Sequence, residues 1–108
     1  MADRVWKGKP IKKFDFFKER FGELSDNYIT LIEKTLKESK LDRKTQELVI
    51  IALLAHDFED GFKFHLKEAL RHGATRDEVV GVILLLLPYC SIGTFLTALN
   101  WAKEEGIL

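Results

Sequence analysis

The sequence predicts an all-α fold, an antiparallel bundle of about six helices, from its hydrophobic periodicity and its helix-capping residues. Apolar residues recur at intervals of three and four along the 108-residue chain, and no segment keeps the alternating pattern of a strand for long. Capping residues divide this pattern into short helices, which suit a single domain covering residues 1–108.

Residues 1–10 are predicted to form an N-terminal arm that ends at Pro10, and six helices follow it. Their predicted limits are, in order, Ile11–Phe21, a helix capped by Ser25 or Asp26, a helix from Asp42 to about Ala55, Phe58–Arg71, a helix begun by Thr75 and ending near Pro88, and a helix from Ser91 to Gly106.

Five residues justify most of these limits. The Asp42 side chain can accept a hydrogen bond from a free amide of the third helix. Thr75 and Glu78 have the spacing of a capping box, in which each side chain bonds the other residue's backbone amide. Gly22 and Gly73 stand where the first and fourth helices need a stop, and glycine tolerates the left-handed conformation of such a stop.

Composition excludes several classes of function. Lys+Arg and Asp+Glu are both 17, so the chain has no basic footprint for nucleic acid. The longest apolar runs, 48–55 and 82–87, fall far short of a membrane span. The single cysteine allows no internal disulfide and, with no signal sequence at the start, favours a cytoplasmic protein. Few Gln, Asn, Met and Cys beside many Lys and Glu are weakly typical of a thermophile.

The third and fifth predicted helices are apolar around their whole circumference. A helix of this kind must be buried on every side, and a domain this small can hardly surround two of them. We therefore predict that part of this apolar surface lies in a homo-oligomer interface. The alternative is a monomer in which the other helices cover both.

Two residues are candidates for proton transfer. Glu47 precedes the apolar run of the third helix, where burial would favour its protonated form. Spacing alone favours a solvent-facing acid near a helix start. His65 lies on the apolar stripe of the fourth helix. The alternative to a catalytic role is a core histidine whose hydrogen bonds are satisfied within the protein.

His56, His65 and His72 have no accompanying Cys and no H-E-x-x-H pattern, so no metal site is predicted. His72, at a helix end, is interpreted as a partner of the helix dipole.

The order of these segments resembles the carboxymuconolactone decarboxylase family, which includes the alkylhydroperoxidase D-like proteins. Gln46-Glu47-Leu48 resembles the family's R-E-L segment with Gln in place of Arg, and His65-Leu66-Lys67-Glu68-Ala69-Leu70 matches its H-L-x-x-A-L segment. Family members with thiol chemistry carry a C-x-x-C pair just before the histidine. The corresponding FEDGFKFH segment, 58–65, has no cysteine, and the turn before it is one residue shorter than in the family pattern.

The resemblance implies a helical subunit that assembles into a symmetric oligomer, often a hexamer, and it implies no cofactor. It assigns Glu47 and His65 to a proton relay. Without the cysteine pair, it favours decarboxylation of a small carboxylated lactone or related acid over hydroperoxide reduction. The rival interpretation is a diverged oligomeric scaffold or small-ligand binder that kept the fold and lost the chemistry.

A decarboxylase must also hold the carboxylate of its substrate, usually with Arg or Lys. Arg43, Lys63 and Lys67 are the candidates, and the sequence does not choose among them. We further predict that Glu47 and His65 meet in one pocket near Tyr89 and Cys90. Cys90 stands where the family often has glycine; it is interpreted either as a buried structural residue or as a reactive thiol at a helix start.

Overall fold

A computed structural model describes residues 11–108 of the chain, and these residues form six helices and no strand. The all-α prediction is therefore confirmed, whereas the predicted arm, 1–10, lies outside the described residues. The helices are α1 Lys13–Arg20, α2 Gly22–Glu38, α3 Arg43–Leu54, α4 Glu59–Arg71, α5 Arg76–Tyr89 and α6 Ile92–Glu104. None of the described helices has the length and apolar character needed to cross a membrane.

The chain divides into two compact units, one ending at Leu41 and one running from Asp42 to Leu108. In the first unit, α1 and α2 pack together with the Phe14 and Tyr28 rings stacked 6.1 Å apart. The predicted start of α2 is wrong. Phe21 alone leaves the helical conformation and α2 begins at Gly22. The Ser25 amide already donates to the Phe21 carbonyl, so Ser25 is an interior residue of α2 and not its cap.

The predicted caps of the second unit are confirmed. Asp42 Oδ1 accepts a hydrogen bond from the Thr45 amide at 2.7 Å, and this bond lowers the pKa of Asp42. Thr75 and Glu78 form both hydrogen bonds of the capping box. Gly73 has a φ of +100°, the left-handed conformation expected where α4 ends. Because these caps fix where α3, α4 and α5 begin or end, they also fix which side chains point inward.

The core of the second unit is formed by α3–α6. Its most deeply buried apolar side chains are Ile51, Phe62, Leu66, Val79 and Ile83. The rings of Phe62 and Trp101 lie 5.5 Å apart and connect α4 with α6. A second group of large apolar side chains remains exposed in the isolated chain, and it comprises Val49, Leu53, Leu84, Leu85, Leu87, Ile92 and Leu96.

Gly61 lies in the first turn of α4, where the Phe58 ring and the Leu54 side chain cover it closely. A Cβ atom built on Gly61 would lie 2.7 Å from Phe58 Cδ2 and 3.0 Å from Leu54 Cδ1. The Phe58 ring therefore packs closely on Gly61 in the segment just before His65.

We expect Gly61→Ala to lower the free energy of unfolding by about 1–3 kcal/mol, because the added methyl group overpacks this contact. The matched control is Gly81→Ala in α5, where an added Cβ meets no described atom within 4 Å. This control should raise the free energy of unfolding by about 0.5–1 kcal/mol through helix propensity. Chemical denaturation measures both, and an equal effect of the two substitutions would contradict the packing described for Gly61.

Candidate active site

Glu47 lies in the second turn of α3, and its side chain is completely buried, with 0% of its surface exposed. The Asp42 cap fixes the start of α3 and therefore directs Glu47 to the same side as the core residue Ile51, one turn later. The alternative of a solvent-facing acid near a helix start is wrong. A carboxylate in such a place requires partners, because an unpaired buried charge is strongly unfavourable.

One partner of Glu47 is His65, which α4 presents from the facing side of the core. The distance from His65 Nδ1 to Glu47 Oε1 is 2.6 Å. An ionised carboxylate only accepts hydrogen bonds, so in the neutral imidazole Nδ1 carries the proton and donates it. The shorter turn between α3 and α4 thus still brings these two side chains together. The arrangement fixes the orientation of the imidazole ring.

The second carboxylate oxygen of Glu47 is held by Arg43, which lies one turn earlier on α3. Arg43 Nη2 donates to Glu47 Oε2 at 2.5 Å, and Arg43 Nη1 donates to Gln46 Oε1 at 2.5 Å. Gln46 is therefore a contact of the guanidinium that pairs with Glu47. Charge-assisted hydrogen bonds of this kind are short and strong, and here they compensate a buried charge.

The other ring nitrogen of His65, Nε2, is available to exchange a proton. No residue in the described part of the chain forms a hydrogen bond with Nε2, and 11% of the His65 side chain remains accessible. The Phe64 ring packs edge-on against the imidazole with centroids 5.0 Å apart. A histidine with Nδ1 held by a carboxylate and Nε2 accessible is arranged to take up and release a proton at Nε2.

Glu68, Arg71 and His72 form a second group of charged and polar side chains at the end of α4, and Arg71 and His72 interact electrostatically with Glu47. Arg71 Nη2 and Nε donate to the two carboxylate oxygens of Glu68 at 3.0 and 3.1 Å. His72 Nε2 lies 3.8 Å from Glu68 Oε1. Burial and then the positive charges of Arg43 and Arg71 lower the pKa of His72. These surroundings favour the neutral form of His72, which opposes its interpretation as a partner of the helix dipole.

The predicted carboxylate-binding lysines lie on α4 and already pair with acids of the protein. Lys63 Nζ is 2.7 Å from Glu104 and 2.8 Å from Glu59, and these hydrogen bonds raise the pKa of Lys63 above its ordinary value. Lys67 Nζ is 3.0 Å from Glu105. A substrate carboxylate at either lysine would compete with these acids.

Tyr89 and Cys90 lie at the end of α5 and are both exposed, Tyr89 to 86%. Cys90 is therefore not the buried structural residue that was one of its two interpretations. Within residues 11–108, no hydrogen bond, ion pair or ring contact joins Tyr89 or Cys90 to Glu47 or His65. The structure brings the acid and the histidine together, and the role of Tyr89 and Cys90 in substrate binding stays a prediction.

Most of the network around the pair was not predicted from the sequence. Arg43 was predicted only as a possible contact of the substrate, although the four-residue spacing of Arg43 and Glu47 is that of an ion pair on one helix face. The same spacing rule predicts that Glu68 pairs with Arg71, three residues later, and with His72, four residues later. Among the described residues, no group of three or more His, Cys, Asp or Glu side chains is placed to hold a metal ion.

Comparison with known proteins defines the class to which this helical unit with a buried acid–histidine pair belongs. The model of the carboxymuconolactone decarboxylase family matches residues 22–104, which include Arg43, Glu47 and His65. The chain is a member of the carboxymuconolactone decarboxylase family. No curated protein and no solved structure shows significant similarity to the chain.

Proposed function

We propose that this protein is a cofactor-independent enzyme of the carboxymuconolactone decarboxylase type, acting by proton transfer on a small carboxylated lactone or related acid. The 2.6 Å contact between the buried carboxylate of Glu47 and Nδ1 of His65 carries this proposal. The two side chains come from different helices and match the family's acid and histidine. A core histidine that only fills space has no need of a buried carboxylate, whose burial is costly.

The chemistry assigns a different role to each residue. Loss of carbon dioxide leaves an electron pair on carbon, and the product forms when that carbon accepts a proton. Nε2 of a protonated His65 is the donor in our proposal, and Glu47 stabilises the imidazolium through Nδ1. Nε2 then regains a proton from solvent. Tyr89, Cys90 and Lys63 are proposed as substrate-binding residues.

The rival proposal is a diverged, non-catalytic oligomeric scaffold or a binder of small acids with the same fold. One observation favours it: Arg43, Lys63 and Lys67, the three cations considered for a substrate carboxylate, all pair with carboxylates of the chain itself. Thiol peroxidase activity is the least favoured function, because it needs a second thiol and Cys90 is the only cysteine of the sequence.

We expect the wild-type protein to release carbon dioxide from a carboxylated muconolactone. Glu47→Gln and His65→Asn should each lower the rate by about 10²–10⁴-fold, the usual contribution of general acid–base catalysis. His56→Asn is the matched control, since His56 is exposed on the turn after α3 and outside the network. Circular dichroism and size exclusion must show that all three variants fold and assemble as the wild type does.

Two outcomes would contradict the enzymatic proposal. One is an unchanged rate in folded Glu47→Gln and His65→Asn variants. The other is a wild-type protein that binds the acid in calorimetry but does not release carbon dioxide above the buffer rate. The second outcome would establish the binder.

We also propose that the protein is a homo-oligomer, and the resemblance to the family favours a hexamer. The support is the exposed apolar surface of the second unit, on which Leu53 is 69% and Leu85 59% exposed in the isolated chain. Apolar side chains of this size gathered on α3, α5 and α6 are typical of a surface that another subunit covers.

Light scattering coupled to size exclusion at micromolar concentration should give a mass that is a multiple of 12.5 kDa, the mass of one chain. Leu85→Glu should lower that mass, because it places a charge in the apolar surface, whereas Lys103→Glu at an exposed polar position of α6 should not. A wild-type mass of one chain would rule out the oligomer.

A further inference from the structure

The position of Arg43 suggests a function that sequence comparison does not assign to it. Its guanidinium contacts Glu47 through Nη2 and Gln46 through Nη1, so both terminal nitrogens bond residues of α3. Its side chain is 25% exposed, whereas the Glu47 carboxylate is not exposed at all. Arg43 is therefore poorly placed to release Glu47 and bind a substrate acid, and well placed to act on Glu47 itself.

We propose that Arg43 is the positioning residue of the site, holding Glu47 as a carboxylate turned toward Nδ1 of His65, so that Nε2 takes up and gives back the proton. The proposal rests on the function proposed above and deepens it. Each carboxylate oxygen has its own partner, Oε1 with His65 and Oε2 with Arg43. Rotation of the carboxylate would break both hydrogen bonds together.

Arg43 also changes how readily the Glu47–His65 pair holds a proton. A buried carboxylate that lacks a positive neighbour captures a proton, either on itself or on the adjacent imidazole. The Arg43 charge beside Oε2 disfavours both outcomes, because it compensates the carboxylate and repels an imidazolium. We therefore expect loss of the Arg43 charge to make the pair hold its proton more tightly.

Other charged groups lie near the same pair, and one of them, Arg71, provides the control for substitution of Arg43. They are Glu68, Arg71 and His72, all at the end of α4. The Arg71 charge is close enough to Glu47 to be influenced by it, but its donors bond Glu68 and its side chain is 60% exposed. Substitution of Arg71 thus removes the same charge from the same neighbourhood without removing a hydrogen bond to Glu47.

The test is an NMR titration of the His65 ring nitrogens in the full-length protein, with ¹⁵N-labelled histidine and no substrate. Arg43→Met should move the titration midpoint of the Glu47–His65 pair upward by about one pH unit or more, the effect of losing an adjacent opposite charge. Arg43→Lys, which keeps the charge, should leave the midpoint close to that of the wild type. Arg71→Met should move the midpoint by less than half as much.

A folded Arg43→Met protein with an unchanged or lowered midpoint would overturn the proposal, as would an equal shift in Arg71→Met. If Arg43→Met does not fold, Arg43→Gln replaces it with the same two outcomes, since it removes the charge but keeps an amide donor. The titration needs no turnover, so it can succeed in a protein that proves to be no decarboxylase. Conversely, an active enzyme with no midpoint shift in Arg43→Met would sustain the proposed function and refute the role of Arg43.

Discussion

The buried carboxylate of Glu47 is the constraint on which the rest of the site depends. Removing a charge from water costs several kcal/mol, and only close, well-oriented partners offset that cost. Arg43 meets this demand from the same helix and His65 meets it from the next one. The same partners that make the burial tolerable also orient the imidazole, so the stability of the core and the proton chemistry of the site rest on the same atoms.

The residues at the helix ends fix the orientation of the helices and therefore the positions of Arg43, Glu47 and His65. The Asp42 cap fixes the rotation of α3, which decides that Glu47 faces inward and that Arg43 lies above it. The close packing of Phe58 on Gly61 sets the first turn of α4, and His65 follows one turn later. The capping box of Thr75 and Glu78 is tied to α3 as well, through the 3.1 Å ion pair of Glu78 with Lys44. An error of one residue at any of these points would turn a site residue away from the core.

Much of the fold could be predicted from the sequence, because caps and hydrophobic periodicity are local. Asp42, Thr75, Ser91 and Gly106 mark helix limits that the structure confirms. The start of α2 could not be predicted in this way. Ser25 has the chemistry of a cap, but the chain re-enters the helix directly after Phe21, and nothing in the local pattern signals that.

The candidate site shows the same division between local and long-range information. Resemblance to the family pointed to Glu47 and His65, and the structure adds that they are in contact. Which cation pairs with which acid depends partly on distances between helices, so the sequence does not reveal that Lys63 pairs with Glu104 of α6 as well as with Glu59. Burial first, and then the charges of Arg43 and Arg71, lower the pKa of His72, and its position near a helix end does not reveal these surroundings.

A double-mutant cycle on folding stability tests most directly whether Glu47 and His65 form one buried interacting pair. The free energies of unfolding of Glu47→Gln, His65→Asn and the double variant are compared with that of the wild type. Residues in direct contact should give a coupling energy of about 0.5–3 kcal/mol. A parallel cycle between Glu47→Gln and Lys63→Met, whose partners are other acids, should be additive within about 0.5 kcal/mol. Additive effects of the Glu47 and His65 substitutions would contradict the account.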